Sequence, residues 1–383
     1  MNRHEAPTFM FIAGEASGDL LAAELVGALR HERPQANFFG AGGPRMAEAG
    51  VELAEDMARH SIIGIWEVVK KYFEFRRLMA RLVELAFKRC PDVIVCVDFS
   101  GFNSRFARAV RARIAATGAD WRPRIVQYVS PQVWASRPGR AKLMARDYDL
   151  LLCILPFEQA WYARHAPELR VEFVGHPIVD RHSGTAHRTS GSEAAHNILL
   201  LPGSREGELR RHLPPMLDAL QRIREVMPET RFQLVLPDAT LAAQARPMLA
   251  AFPDIELQIG KLAEALRTAT VAIASTGTVT LECAWFGVPT VALYRTSWPT
   301  YLIGRCIVSV DYLAMPNLLA NEPIFPELIQ HEATGPNIAR ETLALLKDAP
   351  RRAAITTRLV QIVATLGEPG ASQRAATAVL RLC

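Results

Sequence analysis

The chain has 383 residues, more than the roughly 250–300 that one hydrophobic core supports, so two domains and a cleft between them are expected. Half of the residues are apolar and 22% are charged, a globular balance that excludes disorder and fibrous repeats. The 44 Lys and Arg against 39 Asp and Glu leave a net charge of +5, which suits a phosphate-bearing substrate or an anionic membrane surface without deciding between them.

Apolar, β-branched runs alternate with amphipathic stretches along the whole chain, the pattern of an α/β protein whose parallel sheets are covered by helices on both faces. No stretch approaches the ~20 uninterrupted apolar residues of a membrane span. Acidic Glu15 and Asp19 follow closely on the apolar start, so the protein is expected to be neither secreted nor membrane-spanning. The six cysteines form no CxxC pair and read as reduced core residues of a cytosolic protein. In chain order, Phe9–Ala13 is a predicted strand, followed by the turn Gly14, Glu15, Ala16, Ser17, Gly18, Asp19 and a helix to about Arg30. A strand at Phe38–Gly40 comes next, then a long helical stretch at Trp66–Arg89. Asp92–Asp98 is a buried strand ending on a carboxylate, Ile125–Val129 ends on Ser130, and Leu150–Leu155 is expected to complete the sheet. Ligands of open α/β sheets sit outside the carboxyl ends of the strands, so Gly14–Asp19, Asp98–Asn103 and Ser130–Trp134 should converge on one crevice.

From Gly175 to Asn197 the composition turns polar, with Gly, Ser and His and no periodicity, and reads as an interdomain linker. The alternation then restarts with strands at Ile198–Leu201, Phe232–Leu236, Val271–Ala274 and Thr290–Leu293, and helices to about Val226 and Phe286. The expected division is 1–175 and 176–366, each Rossmann-like and doubly wound. The tail from Asn337 is helical with a break at Gly367–Gly370, and its last helix, about 367–383, is expected to pack back on the first domain.

The Gly14–Asp19 turn joins a strand to a helix, where glycines let a ligand approach free amides, although such turns are often purely structural. Neither it nor Gly40–Arg45 is a dinucleotide fingerprint. Asp98 has two readings: a general base facing the crevice, or the N-cap of the next helix. In the second half, Pro202-Gly-Ser-Arg205 and Ser275-Thr-Gly277-Thr278 each follow a strand and open a helix, so their amides, hydroxyls and the Arg205 guanidinium can surround a diphosphate. Glu282 reads either as an acceptor for ribose hydroxyls or as a solvated surface residue. No Walker A loop, nucleophile elbow or zinc helix occurs. His182, His187 and His196 lie in the linker without metal-ligand spacing, and Asp147-Tyr-Asp149 reads as a helix-to-strand junction, so no metal is expected. Trp66–Arg89 carries Trp66, Tyr72, Phe73 and Phe75 among seven basic residues, which fits a lipid-facing interfacial element or an ordinary packed helix with a charged face.

These motifs in order, AGEASGD (13–19), GAGGPRM (40–46), YVSPQVWA (128–135), LPFE (155–158), FVGHP (173–177), LLPGSR (200–205), STGTVTLE (275–282) and MPNLLA (315–320), resemble the lipid-A-disaccharide synthase family over almost the whole chain. The resemblance implies an inverting glycosyltransferase of the two-domain GT-B type that needs no cofactor and no metal. It would move 2,3-diacylglucosamine from UDP to 2,3-diacylglucosamine 1-phosphate, at the cytoplasmic face of the inner membrane and against its anionic surface. Nucleic acid is not an implied partner, and a homodimer is left open. Asp98 would be the base; Arg205, Ser275, Gly277, Thr278 and Glu282 would hold UDP, and Asn317 would contact the nucleotide or donor sugar. Ser100 and Ser136 depart from the commoner family pattern, which bears on acceptor or acyl-chain preference. The rivals are an enzyme like the UDP-N-acetylglucosamine 2-epimerases and a non-catalytic nucleotide-sugar-binding protein.

Overall fold

The computed structural model describes residues 6–57, 67–184 and 196–383, with the backbone alone for 67–73. The chain divides into two compact units, Met1–Ser183 with Leu366–Cys383, and Gly184–Thr365. The first unit runs β1 (Thr8–Ala13), α1 (Ala16–Glu32), β2 (Asn37–Gly42), α2 (Pro44–Glu48), β3 (Glu52–Asp56), α3 (Glu67–Arg89), β4 (Val93–Val97) and α4 (Ser100–Thr117). It continues through β5 (Arg124–Tyr128), α5 (Val133–Ser136), α6 (Arg140–Asp147), β6 (Leu150–Cys153), α7 (Glu158–His165), β7 (Val171–Phe173) and α8 (Pro177–His182). Its sheet is parallel, in the order β3-β2-β1-β4-β5-β6-β7.

The two-residue period of a strand explains why this sheet is apolar on both sides. Phe9, Phe11 and Ala13 of β1 pack into one core with Leu21, Leu25 and Leu29 of α1. The alternating Met10 and Ile12 enter a second core with Leu82 of α3 and Phe106 of α4. Leu150–Leu155 does not complete this sheet: β3 and β7 form its edges. Their sequences, ELAED and VEF, carry no buried apolar run, because edge strands of this kind are only partly covered.

Part of the expected linker is helix α8. Pro177 opens it, and His176 caps it by accepting the Ile178 amide on Nδ1 at 3.1 Å. The Asp180 carboxylate accepts the Gly370 and Ala371 amides at 2.5 and 2.9 Å, and the His176 amide donates to the Leu366 carbonyl at 2.8 Å. The linker histidine His187 lies outside the described residues.

The second unit runs β8 (Asn197–Leu201), α9 (Glu206–Val226), β9 (Arg231–Leu236), α10 (Ala239–Ala245), β10 (Glu256–Ile259), α11 (Leu262–Thr268), β11 (Val271–Ser275) and α12 (Thr278–Trp285). Then come β12 (Thr290–Tyr294), α13 (Trp298–Ile307), α14 (Met315–Ala320), β13 (Glu327–Ile329), α15 (Gly335–Lys347) and α16 (Ala349–Ala364). This sheet is also parallel, in the order β10-β9-β8-β11-β12-β13. Its two faces alternate in the same way, Ile198 and Leu200 facing one core and Leu199 and Leu201 the other. The tail returns to the first unit as α17 (Ala371–Leu380), where Ala375 and Val379 join the core of α1. Arg374 ties it there through the Val174 carbonyl at 2.8 Å.

The aromatic, basic stretch divides. Trp66 lies outside the described residues, and α3 is described in its side chains only beyond Phe73. From there it is a packed helix: Leu78, Leu82 and Ala86 are buried, while Arg81 and Arg89 pair with Glu55 and Glu52 of β3 at 2.5 and 2.8 Å. Phe75, expected at a lipid surface, packs with Phe99 and Phe102 at ring separations of 6.4 and 6.0 Å. All six cysteines are free, and only Cys96, Cys153 and Cys283 are in the core; Cys90, Cys306 and Cys383 are exposed.

Desolvation, assisted by nearby Arg181, pushes the His176 imidazole down to about 3. A histidine depressed in the fold contributes stability in full above its unfolded value of about 6.5, and loses that contribution as pH falls toward the folded value. His176→Asn keeps an N-cap acceptor without a titrating ring. The variant should therefore lose less melting temperature than the parent between pH 7 and pH 5; equal losses would remove His176 as a source of acid sensitivity.

Candidate active site

In each unit the chain starts in the middle of the sheet, winds to one edge, and returns to wind outward on the other side. The reversal falls between β1 and β4 in the first unit and between β8 and β11 in the second. Ligands of doubly wound sheets bind at this switch point, beyond the strand carboxyl ends. The loops flanking it are Gly14–Asp19 and Asp98–Asn103 in one unit, Pro202–Arg205 and Ser275–Thr278 in the other.

Asp98 is not the cap of α4. Phe99 occupies that position, left-handed at φ 39°, with no side-chain cap bond. Asp98 is also left-handed at φ 49°, and Val129, at the end of the neighbouring strand, has φ 68°. Such conformations disfavour non-glycine residues and persist only when the surroundings hold them. Here the Asp98 amide donates to the Tyr128 carbonyl at 2.9 Å, and its carbonyl accepts Asn103 Nδ2 at 2.9 Å and Gln127 Nε2 at 3.0 Å. The half-buried Asp98 carboxylate accepts the Ser17 hydroxyl at 3.3 Å, which joins the two loops across the switch point. Gly18 is buried beside Asp98, where a Cβ would make only ordinary contact at 3.5 Å with the Asp98 Cβ. Gly14 has no room for a side chain, since a Cβ would lie 2.2 Å from the Phe99 ring. Glu15 and Ser17 are exposed at the start of α1.

Three residues expected at the crevice have internal work. Asp19 is buried, and its carboxylate accepts the amides of Gly43, Arg45 and Met46 at 2.8, 3.0 and 3.1 Å, capping α2. Asn103 is fully buried and spends both amide hydrogens on the carbonyls of Val97 and Asp98. Ser130 turns inward, 3.0 Å from the Tyr162 hydroxyl and beside Glu158. Glu158 receives the Trp134 indole N–H at 2.9 Å and the Leu155 amide at 3.0 Å. Burial pushes its carboxyl up to about 7 against those bonds.

In the second unit Arg205 is exposed at the N-cap of α9, its guanidinium 3.5 Å from Glu208. Glu208 also accepts the Ser204 amide at 3.0 Å, which shapes the turn. Ser275 is buried at the end of β11. Gly277 caps α12 at φ 132°, a conformation that needs glycine, and faces open space; Thr278 follows, exposed, and Glu282 lies half-buried one turn along. Asn317 differs from its expected role. It is fully buried, with Nδ2 donating to the Phe325 carbonyl and Glu327 at 2.8 and 2.9 Å, while Oδ1 accepts the Phe325 amide at 2.8 Å. With both amide functions engaged, it fastens the 317–327 loop and does not present itself to a ligand.

Sequence reasoning missed the residues that hold these loops. Buried His212 on α9 lies 2.7 Å from the Pro202 carbonyl through Nδ1 and accepts the Arg295 amide on Nε2 at 3.0 Å. A neutral ring protonated on Nδ1 satisfies both contacts, and burial lowers its pKa against the bonds to Pro202 and Arg295. Thr280 donates to the Gly277 carbonyl at 2.6 Å and accepts the Met315 amide at 3.1 Å. Glu327 accepts the Leu313 and Ala314 amides, and burial raises its pKa. Glu208 alone had a signal, an acidic residue in the first turn of a helix. His212 and Glu327 have none, because their partners are distant backbone groups. Asp147 and Asp149 do sit at a helix-to-strand junction, paired with Arg108 and Arg111 at 3.1 and 2.5 Å.

Solved structures share this build. A UDP-GlcNAc 2-epimerase from Neisseria meningitidis bound to UDP-GlcNAc aligns over 98% of this chain and 100% of its own at TM-score 0.64 and 11% identity. The calicheamicin glycosyltransferase CalG4 aligns over 98% and 99% at TM-score 0.60 and 14% identity. At such identities the likeness is one of fold, and it defines a two-unit α/β protein of the GT-B type. Sequence narrows the class. A family model for lipid-A-disaccharide synthetase matches residues 9–382. The lipid-A-disaccharide synthase of Anaeromyxobacter dehalogenans (strain 2CP-C) is 38% identical over 97% of this chain and 96% of its own. That of Geobacter sulfurreducens is 34% identical over 100% and 99%. The chain belongs to the lipid-A-disaccharide synthase family, and its role is that of a glycosyltransferase in lipid A biosynthesis.

If Asn317 fastens its loop, Asn317→Ala leaves the Phe325 amide and carbonyl unpaired and should lower urea-unfolding stability by about 2–4 kcal/mol. A loss of nucleotide affinity with unchanged stability would instead make it a ligand contact.

Proposed function

We propose that the chain transfers the 2,3-diacylglucosaminyl group of its UDP donor to the 6-hydroxyl of 2,3-diacylglucosamine 1-phosphate in one inverting displacement. The bond from the acceptor O6 to the donor anomeric carbon forms as the bond from that carbon to the diphosphate breaks. The acceptor proton passes to the Asp98 carboxylate, and the bonding electron pair leaves with UDP, giving the β-1,6 disaccharide 1-phosphate. The observation that carries the reading is a carboxylate held at a switch point by a strained, fully bonded backbone. A carboxylate within reach of the acceptor hydroxyl is what an in-line displacement needs. Arg205 and the Ser275–Thr278 turn, with Gly277 open to solvent, supply the guanidinium and amides that would stabilise the leaving diphosphate. Glu282 would accept from the ribose hydroxyls. The acylated substrates also imply work at an anionic membrane surface; no helix among the described residues is long and apolar enough to cross one.

Purified protein mixed with UDP-diacylglucosamine and the lipid acceptor should release UDP only when both are present; epimerisation of the donor alone would support the rival reading. Asp98→Asn should retain fold and UDP affinity but lose about 10²–10⁴ in kcat, the usual worth of a general base. Near-normal turnover would move the base elsewhere. Arg205→Ala should weaken UDP binding by about 1.5–3 kcal/mol in a calorimetric titration; unchanged affinity would take the diphosphate away from this turn.

A further inference from the structure

Helix α13 inverts the usual arrangement of a surface helix. None of its ten residues is buried. At 3.6 residues per turn its exposed Trp298, Pro299, Leu302, Ile303 and Cys306 fall within an arc of about 140°, while Tyr301, Gly304 and Ile307 are half-buried. The side turned outward is therefore apolar as well as the inner one, with exposed Thr300 and Arg305 at its margins. Trp298, Leu302 and Ile303 are 58%, 58% and 59% exposed, and Val308 follows at 41%. Other large exposed apolar residues, such as Leu143, Val226 and Val360, are scattered singly. Scattered exposure is ordinary, whereas a contiguous stripe marks an interaction surface.

The charges around the stripe select its partner. From Arg295 to Asp311 the chain carries Arg295 and Arg305 against one acidic residue, the exposed Asp311, which leaves the segment net positive. Trp298 and Tyr301 meet edge to face at 5.7 Å, and amphipathic rings of this kind favour the headgroup level of a bilayer. A ten-residue helix is about 15 Å long, enough to lie in an interface and too short to cross it. Five side chains also fall short of the ~800 Å² per partner of a stable protein interface.

We propose that α13 is an interfacial element that lays Trp298, Leu302 and Ile303 into the headgroup region of an anionic lipid surface, with Arg295 and Arg305 toward the lipid phosphates. The inference deepens the proposed reaction, whose acylated substrates reside in such a surface, and assigns membrane contact to the second unit. Lipid binding is measured without substrate, so the two readings fail separately.

The test is sedimentation of the full chain with phosphatidylglycerol-containing vesicles and with phosphatidylcholine vesicles. The parent should partition to the anionic vesicles, more strongly at low salt. Leu302→Ser with Ile303→Ser should reduce that partitioning by about tenfold or more, at unchanged melting temperature and UDP affinity. Arg305→Gln should lose about fivefold on anionic vesicles alone. Brominated acyl chains should quench part of the tryptophan emission, and Trp298→Phe should remove that part. The proposal is overturned by vesicle binding and quenching that survive these substitutions. It is equally overturned if the double variant changes the oligomeric state without lipid, which assigns the stripe to a second copy. A fall in kcat/KM on detergent-dispersed substrates with vesicle binding intact would assign it to the substrate's acyl chains, with the same consequence. Absence of UDP release from a parent that binds vesicles normally would remove the transfer reaction and leave α13 as assigned.

Discussion

The handedness of the crossover connection is the constraint on which the rest of the molecule depends. Parallel strands must be joined by crossovers, and these are right-handed because a right-twisted strand feeding a right-handed helix packs back only that way. Winding outward from β1 and then outward again from β4 therefore puts their following helices on opposite faces. That is observed: α1 packs into one core of the first unit and α4 into the other. The loops after β1 and β4 lead to opposite faces, and the polar groups at the strand ends lie where they diverge, tied across the switch point by Ser17 and Asp98. The second unit winds in the same way and so repeats this divergence between β8 and β11.

A switch point is useful only if its loops hold still, and buried polar ties hold them. An unpaired polar group inside a protein costs about 1–3 kcal/mol, so each tie is a strong geometric restraint. Asp19 binds three amides of the next loop, Asn103 and Gln127 fix the left-handed Asp98, and His212 and Asn317 do the same for the loops of the second unit. Most of these residues present nothing to a ligand. They keep in place those that can, namely Asp98, Arg205 and the turn around Gly277.

Amphipathic composition has opposite consequences in two helices. In α3, beyond Phe73, the aromatic and aliphatic residues face the sheet and the arginines reach β3 or solvent, as the hydrophobic effect demands of an ordinary layer. In α13 the apolar side faces out, because Tyr301, Gly304 and Ile307 already occupy the side against the unit. Composition alone does not distinguish the two cases; only the position of the sheet beneath each helix does.

The sequence by itself determined the alternation of buried strands and helices, the two Rossmann-like domains and the turns that flank each switch point, since these follow from hydrophobic period and from glycine placement, which are local. Family motifs in fixed order added the reaction class. The short edge strands β3, β7, β10 and β13 were illegible, because half-covered strands need no apolar run. Helix α8 was hidden in a polar segment, since its stability comes from the Asp180 contacts with residues about 190 positions away. The tertiary structure alone separated Asp98, at a strained strand end, from Asp19 and Asn317, whose polar groups are consumed inside the protein, and from Asn103, whose amide hydrogens are. Residue type and spacing state what a side chain can bond to, but which partner reaches it first is set by chain segments distant in sequence, and that only the packed fold decides.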